Sequence, residues 1–324
     1  MKRMLLLILL LFYSVVVTHI EASEMEAQKH FDQAMKLILS GKYEGAIAEF
    51  TKAIELNPQL DRAYTNRGIA WMEMGNYDRA IDDCNKATEL NPGQYQAYAS
   101  RANAWRFRGD FDRALADHTK AIELNSNVAI LYNNRGATWA NKDDFERAIA
   151  DFTRAIEIEP KYAMAYYNRA NALYCGLNLK GAFPDYEKAL ENNYQPKNYP
   201  HLMLLITLQK MGVSQKEYET YKKELRILAA HNRRYDSIWN ISLFYLGNIS
   251  EDEVLTRARK GRGEKQIKEW LCEAFYYLGE YRLLQDDRNR ADDYFRKCLE
   301  TNIFTTAEYM NAKAMLKRMG ESKP

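Results

Sequence analysis

The chain has 324 residues, with 46 basic and 44 acidic side chains and a formal net charge of +2. That near-balance excludes the large basic excess expected of a nucleic-acid binder. A hydrophobic content of 47% allows a sizeable core and excludes global disorder, while seven prolines and fifteen glycines are too few for a collagen-like or linker-rich chain.

Residues 1–23 read as an export signal. Lys2 and Arg3 give a positive start, Met4 to Val17 is an apolar run, and Thr18 to Ser23 is more polar. The run is short for a membrane span, which needs about 20 residues. Cleavage after Ala22 and an uncleaved anchor both remain open. No cysteine lies near that point, so a lipobox is absent and no lipoprotein is expected. The expectation is an exported protein of the periplasm or cell envelope. It touches a membrane only through the N-terminal segment, if that is uncleaved. No later segment reaches ~18 consecutive apolar residues.

From Ala27 the sequence aligns without a gap in five rows of 34, starting at Ala27, Asp61, Tyr95, Ala129 and Ala163. Position 8 is small: Ala34, Gly68, Ala102, Gly136, Ala170. Position 20 is Ala46, Ala80, Ala114, Ala148, Ala182, and position 27 is Ala53, Ala87, Ala121, Ala155, Ala189. Tyr64, Tyr98, Tyr132 and Tyr166 hold position 4. Tyr43, Tyr77, Phe111, Phe145 and Leu179 hold position 17. Small residues at positions 8 and 20 let two amphipathic helices approach closely, and the aromatics fill the space between them. One hairpin cannot bury its apolar face alone, so the rows must stack.

These residues resemble the tetratricopeptide repeat (TPR). The resemblance implies an all-α, right-handed α-solenoid of helix hairpins, with five repeats over residues 24–196. Residues 197–324 form a divergent helical extension. His201 to Met211 and Gln215 to Ala230 read as a sixth hairpin, and Ile238 to Leu246 and Glu251 to Lys260 as short helices. A further TPR-like hairpin spans about 265–301, with Gly279 at position 8 and Ala291 at position 20, and Thr306 to Met319 reads as a capping helix. Trp239 to Glu253 and Glu269 to Tyr281 are similar to the C-terminal half of the NlpI-type bacterial envelope TPR proteins. That likeness implies a homodimeric adaptor bringing cell-wall hydrolases to a tail-specific protease. The lipobox of that family's anchored member is missing here.

Catalytic motifs are absent: there is no HExxH, P-loop, GxSxG or EF-hand loop. The chain reads as a non-enzyme with no cofactor and no metal. His118 and Cys84 stand at position 24, where Phe50, Phe152 and Tyr186 stand in other rows, so both read as core substitutes. Trp71, Trp105 and Trp139 recur at position 11 and read as core filling.

In the TPR resemblance, the first helix of each hairpin lines a concave groove. Asn66, Asn134 and Asn168 hold position 6, where a carboxamide offers a donor and an acceptor to a peptide backbone. Asn also suits the packing of the repeat there. Asn103, Asn133, Asn141 and Asn171 are neighbours, Tyr167 and Tyr174 are amphipathic contacts, and Arg62 and Arg106 add charge. The carboxylate clamp of chaperone adaptors is missing, because Phe31 and Met35 replace its Lys and Asn, and Gln96 and Ser100 its Lys and Arg. The apolar side chains Phe31, Met35, Ile38 and Leu39 on the first hairpin point to a buried contact there, either within the chain or between chains.

Residues 24–196 carry 21 basic and 25 acidic side chains, and residues 197–324 carry 23 and 18. Arg257, Arg259, Lys260, Arg262, Lys265 and Lys268 form a basic run, read either as a solvated inter-helix loop or as a contact for an anionic partner. Cys272 and Cys298, at positions 1 and 27 of the later hairpin, should sit level on adjacent helices. A disulfide and two buried thiols are both open. The leading function is a non-catalytic adaptor binding proteins or peptides and no nucleic acid. The alternatives are a glycan- or peptidoglycan-binding accessory protein and a structural subunit of an export or assembly machine.

Overall fold

The computed structural model describes residues 22–231, 237–304 and 306–321. Residues 1–21, most of the expected export signal, lie outside the described residues. Among the described residues all regular structure is helical, and no helix is long and apolar enough to cross a membrane. The chain divides into two compact units, one up to Ser126 and one from Asn127.

The first unit holds three hairpins: α1 (22–39) with α2 (Tyr43–Leu56), α3 (Asp61–Glu73) with α4 (Tyr77–Leu90), and α5 (Tyr95–Arg108) with α6 (Phe111–Leu124). The second unit opens with two more, α7 (Ala129–Asn141) with α8 (Phe145–Ile158) and α9 (Ala163–Cys175) with α10 (Leu179–Glu191). It continues through α11 (Asn198–Met211), α12 (Gln215–His231), α13 (Ser237–Tyr245), α14 (Glu251–Ala258), α15 (Glu264–Leu284), α16 (Arg288–Glu300) and α17 (Ala307–Glu321). This is the helix order read from the sequence, with ends shifted by a few residues. Ala22 and Ser23 are already helical, and the Ser23 hydroxyl donates to the Leu56 carbonyl at 3.0 Å.

The small residues act as the row alignment requires. A Cβ placed on Gly136 would lie 2.8 Å from the Phe152 ring and 3.2 Å from the Ala148 carbonyl oxygen; one on Gly279 would lie 2.6 Å from Phe295. Position 8 is therefore where one helix backbone meets the side chain at position 24 of its partner. His118 and Cys84 occupy that partner position fully buried. The turn residue at position 15 always adopts a left-handed conformation. Gly41, Gly75 and Gly109 do so at φ 67°, 77° and 90°, but Asp143, Leu177 and Asp286 do so at 62°, 62° and 58° despite their Cβ atoms. The second helix then starts from a side-chain cap: Asn76, Asp110, Asp144, Asn178 and Asp287 accept from the backbone N–H three residues on.

A charged pair repeats with the hairpins. Position 7 is Arg67, Arg101, Arg135 and Arg169, and each guanidinium forks onto the aspartate at position 23, Asp83, Asp117, Asp151 or Asp185. Arg101 donates through Nε and Nη2 to Asp117 at 2.7 Å each, and through Nη1 to Asn85 and Thr88 of the preceding hairpin at 2.9 and 3.1 Å. Arg67 and Arg169 likewise reach back to Thr51 and Thr153 at 3.0 Å. The tyrosine at position 4 lies under each guanidinium, 5.4 to 5.7 Å from ring centre to carbon. In the rows of Arg67, Arg101 and Arg169 one side chain thus joins the two helices of its hairpin to the hairpin before it. The first hairpin has Gln33 at position 7 and uses His30 with Glu49 at 2.6 Å instead.

The largest core lies in the second unit. Tyr174, Tyr186, Tyr276 and Tyr277 are fully buried there with Leu202 to Ile206 of α11. Several of the chain's 23 tyrosines are therefore core filling. On the first hairpin, Phe31 makes its buried contact within the chain. Its ring packs edge-on against Phe50 at 5.5 Å, whereas Leu39 is 86% exposed.

Candidate functional site

The residues read as one groove divide between the two units. Arg62, Asn66, Asn103 and Arg106 lie on α3 and α5 of the first unit. Asn133, Asn134, Tyr167, Asn168, Asn171 and Tyr174 lie on α7 and α9 of the second.

The first unit leaves this face accessible. Arg62 is exposed, with its guanidinium over the Phe31 ring at 5.4 Å. Asn66 is half-buried and donates to the Arg62 carbonyl at 2.8 Å, one turn back. Asn103 and Arg106 stand one turn apart on α5, both half-buried. The Asn103 Oδ1 acceptor and the Arg106 Nε donor are shielded from solvent, and neither meets a hydrogen-bond partner among the described residues. The Arg106 guanidinium lies over the Phe107 ring at 4.5 Å. Burial lowers its pKa to about 10, with no carboxylate to offset the loss of solvent. A desolvated cation without a counter-charge, beside an unpaired carbonyl oxygen, is complementary to a ligand that brings both a negative group and an N–H.

The second unit is different. Asn168 donates to Asn133 Oδ1 at 2.9 Å, and Asn133 donates to Asn134 Oδ1 at 3.4 Å, so the position 6 carboxamides tie α7 to α9. Tyr167, Asn171 and Tyr174 were expected to face a partner, but they are buried in the core, as is Asn133. Tyr167 lies 4.4 Å from the Tyr194 ring, Asn171 accepts from the Tyr186 hydroxyl at 2.8 Å, and Tyr174 is covered by Lys210 at 4.7 Å. The cause is apolar burial. Tyr276 and Tyr277 of α15 and Met315 of α17 join α9 in one core.

Helix α17 and the residues just before it also make specific contacts to this face. Asn141 donates to the Phe304 carbonyl at 2.7 Å, Cys175 to Asn311 Oδ1 at 2.9 Å, and Lys313 pairs with Asp143 at 2.6 Å. Nothing in the residue pattern distinguishes Asp143 and Cys175, at positions 15 and 13, as contact residues. The Arg–Asp pairs were legible as a 34-residue charge repeat but resemble solvated charges when read one row at a time.

The basic run spans the end of α14, the turn after it and the start of α15. Arg259, Lys260, Arg262, Lys265 and Lys268 are exposed, while Arg257 donates to Asn240 at 3.1 Å and Lys268 pairs with Glu264 at 2.6 Å. Cys272 and Cys298 sit level, as their positions require. They are free, fully buried, and have their sulfur atoms 3.2 Å apart.

The hairpin geometry is that of TPR repeats. The model of the tetratricopeptide repeat matches residues 61–94 and 129–162, and a second TPR repeat model matches residues 36–75. The fold is similar to that of PilF from Pseudomonas aeruginosa, with a TM-score of 0.57 and 13% identity over 64% of this chain and 93% of that one. It is likewise similar to PilW, described as a widely conserved type IV pilus biogenesis factor, with a TM-score of 0.57 and 18% identity over 62% and 92%. At those identities the likeness is one of fold. The TPR fold is that of a protein-interaction scaffold.

Proposed function

We propose that this protein is a non-catalytic TPR scaffold that binds an extended segment of a protein partner on the inner face of its first unit. The observation that carries this reading is the shielded, unpaired Arg106 Nε beside the unpaired Asn103 Oδ1. A peptide supplies both missing groups, a carboxylate for the guanidinium and a backbone N–H for the carboxamide oxygen. The positive N-terminal start and apolar run support export to the periplasm or cell envelope. The NlpI-like stretches at Trp239 to Glu253 and Glu269 to Tyr281 support a finer role as an adaptor, homodimeric as in that family, between cell-wall hydrolases and a protease.

The test is recovery of cross-linked partners from intact cells expressing the full chain, wild type against Asn103→Ala/Arg106→Ala. The variant is expected to lose most partner recovery at unchanged circular dichroism. Unchanged recovery would sink the assignment of this face.

A further inference from the structure

We infer that the inner face of α7 and α9 is a receptor for an amphipathic helix, that α17 occupies it as an internal ligand, and that a better-matched partner helix binds by displacing α17. This extends the scaffold reading to a second site of a different kind.

The first ground is how α17 is held. Toward α15 and α16 it buries Ala312 and Met315 in the common core. Toward α7 and α9 it packs Met310 against Ala140, Phe152 and Ala172 and adds specific polar contacts: the Asn141 carboxamide to the carbonyl of Phe304, just before α17, and, at 3.2 Å, to Met310 Sδ; the Cys175 thiol to Asn311; and Lys313 to Asp143. Side-chain hydrogen bonds and an ion pair recognise a ligand more than they weld a core.

The second ground is what α17 leaves unsatisfied. With the helix in place, Asn141 Oδ1, Asp143 Oδ1 and Asn171 Nδ2 are buried and meet no hydrogen-bond partner among the described residues. Ala137, Ala140, Asn171, Ala172 and Met310 line a gap of about 30 Å³ at the same interface, which α17 does not fill. All three unpaired atoms belong to the receptor side. A buried polar atom that is left unpaired favours any exchange that pairs it.

Those atoms also state the chemistry of the better ligand. Asn171 Nδ2 calls for an acceptor and Asn141 Oδ1 for a donor near Met310, and Asp143 Oδ1 calls for a second donor near Lys313. A helix with glutamine at the Met310 position supplies a carboxamide to the two asparagines. Arginine at the Lys313 position can fork onto both oxygens of Asp143, where lysine reaches one. The expected partner is therefore an amphipathic helix with a carboxamide and, three residues later, an arginine on its binding edge.

The test uses two fluorescent synthetic peptides covering residues 302–321, one of native sequence and one carrying Met310→Gln and Lys313→Arg. Binding is read by anisotropy on full-length protein, wild type and Lys313→Glu, the latter placing a carboxylate against Asp143 to loosen α17. The expected order is weak binding of the native peptide to wild type, at least tenfold tighter binding to Lys313→Glu, and a further gain for the substituted peptide. Asp143→Lys added to Lys313→Glu re-forms the ion pair in reverse and should abolish the gain. Equal affinities across these proteins, or binding to none of them, would overturn the inference. Hydrogen exchange on the wild type gives an independent readout if a variant misfolds. Amides of α17 should exchange at least tenfold faster than those of α15 and α16, and equal protection would also overturn it. Neither result bears on Asn103 and Arg106, so the two binding faces fail or stand separately.

Discussion

Arg101→Ala offers a direct test of the Arg–Asp pair that repeats with the hairpins. The substitution removes two 2.7 Å bonds to Asp117 and the contacts to Asn85 and Thr88. It also leaves the buried Asp117 without its counter-ion. Side-chain exposure is 19% for Arg101 and 12% for Asp117. The Asp117 hydrogen bonds hold the guanidinium pKa above its ordinary value, against the opposing effect of burial. Stranding one member of a fully buried pair costs about 3–5 kcal/mol; with this residual exposure we expect roughly 2–4 kcal/mol. In urea that lowers the midpoint by roughly 1 M for a typical slope. Arg101→Lys keeps the charge but not the fork and should fall between the two. Arg101→Met/Asp117→Leu removes both charges and should recover most of the loss, because no stranded carboxylate remains. Arg106→Met is the contrasting control: a cation with a lowered pKa and no partner should be lost at no cost to stability. The measurement is urea denaturation followed by circular dichroism. An Arg101→Ala shift below ~1 kcal/mol, the range of exposed pairs, would refute the reasoning, as would a double variant no more stable than the single one.

Other expectations can be checked in the same assay. Leu177, 65% exposed with φ 62°, holds a left-handed turn position that glycine fills in the first three hairpins, so Leu177→Gly should raise stability by about 0.5–1 kcal/mol. Gly136→Leu should cost several kcal/mol, since even a Cβ there lies 2.8 Å from Phe152. Burial raises the Glu308 carboxyl from 4.5 to about 7, and the Cys272 and Cys298 thiols and the phenols of Tyr167, Tyr194, Tyr199 and Tyr277 surround it. The unfolded carboxyl ionises near 4.5 while the native one stays protonated to about 7, so stability should fall as pH rises through that window and level off above it. Glu308→Gln should flatten that slope in melting curves taken from pH 4.5 to 8. Cys272 and Cys298 should form a disulfide when the protein is refolded with oxidised glutathione. The exchange would release two molecules of reduced glutathione, and alkylation of both thiols after denaturation would rule the bridge out.

The hairpins were legible because their contacts recur at fixed positions. Gly136 on Phe152 and Gly279 on Phe295 are the same contact, positions 8 and 24, in two rows that differ elsewhere. The left-handed turn was legible at Gly41, Gly75 and Gly109 but hidden at Asp143, Leu177 and Asp286, where the same backbone geometry persists without glycine. Burial of the second inner face was not legible at all. Asn141 reaches Phe304 across 163 residues and Met310 across 169, and a 34-residue period carries no information about contacts between non-neighbouring repeats.

The two units treat their inner faces differently because the side chains there differ in what they lose by facing water. Position 12 is Arg106 in the third row, Ala140 in the fourth and Tyr174 in the fifth; position 5 is Ala99, Asn133 and Tyr167 in the same rows. The side chains at these positions on α5 are small or cationic, and covering them with an apolar helix would gain little. Two tyrosines and Cys175 on α9 gain more by burial than by exposure, and α15 and α17 provide the cover. The polar atoms on the rim of that face, at Asn141, Asp143 and Asn171, are carried under the cover with their neighbours and are only partly matched by it. Apolar burial therefore sets where α17 lies, and the unmatched polar atoms set how readily it gives way.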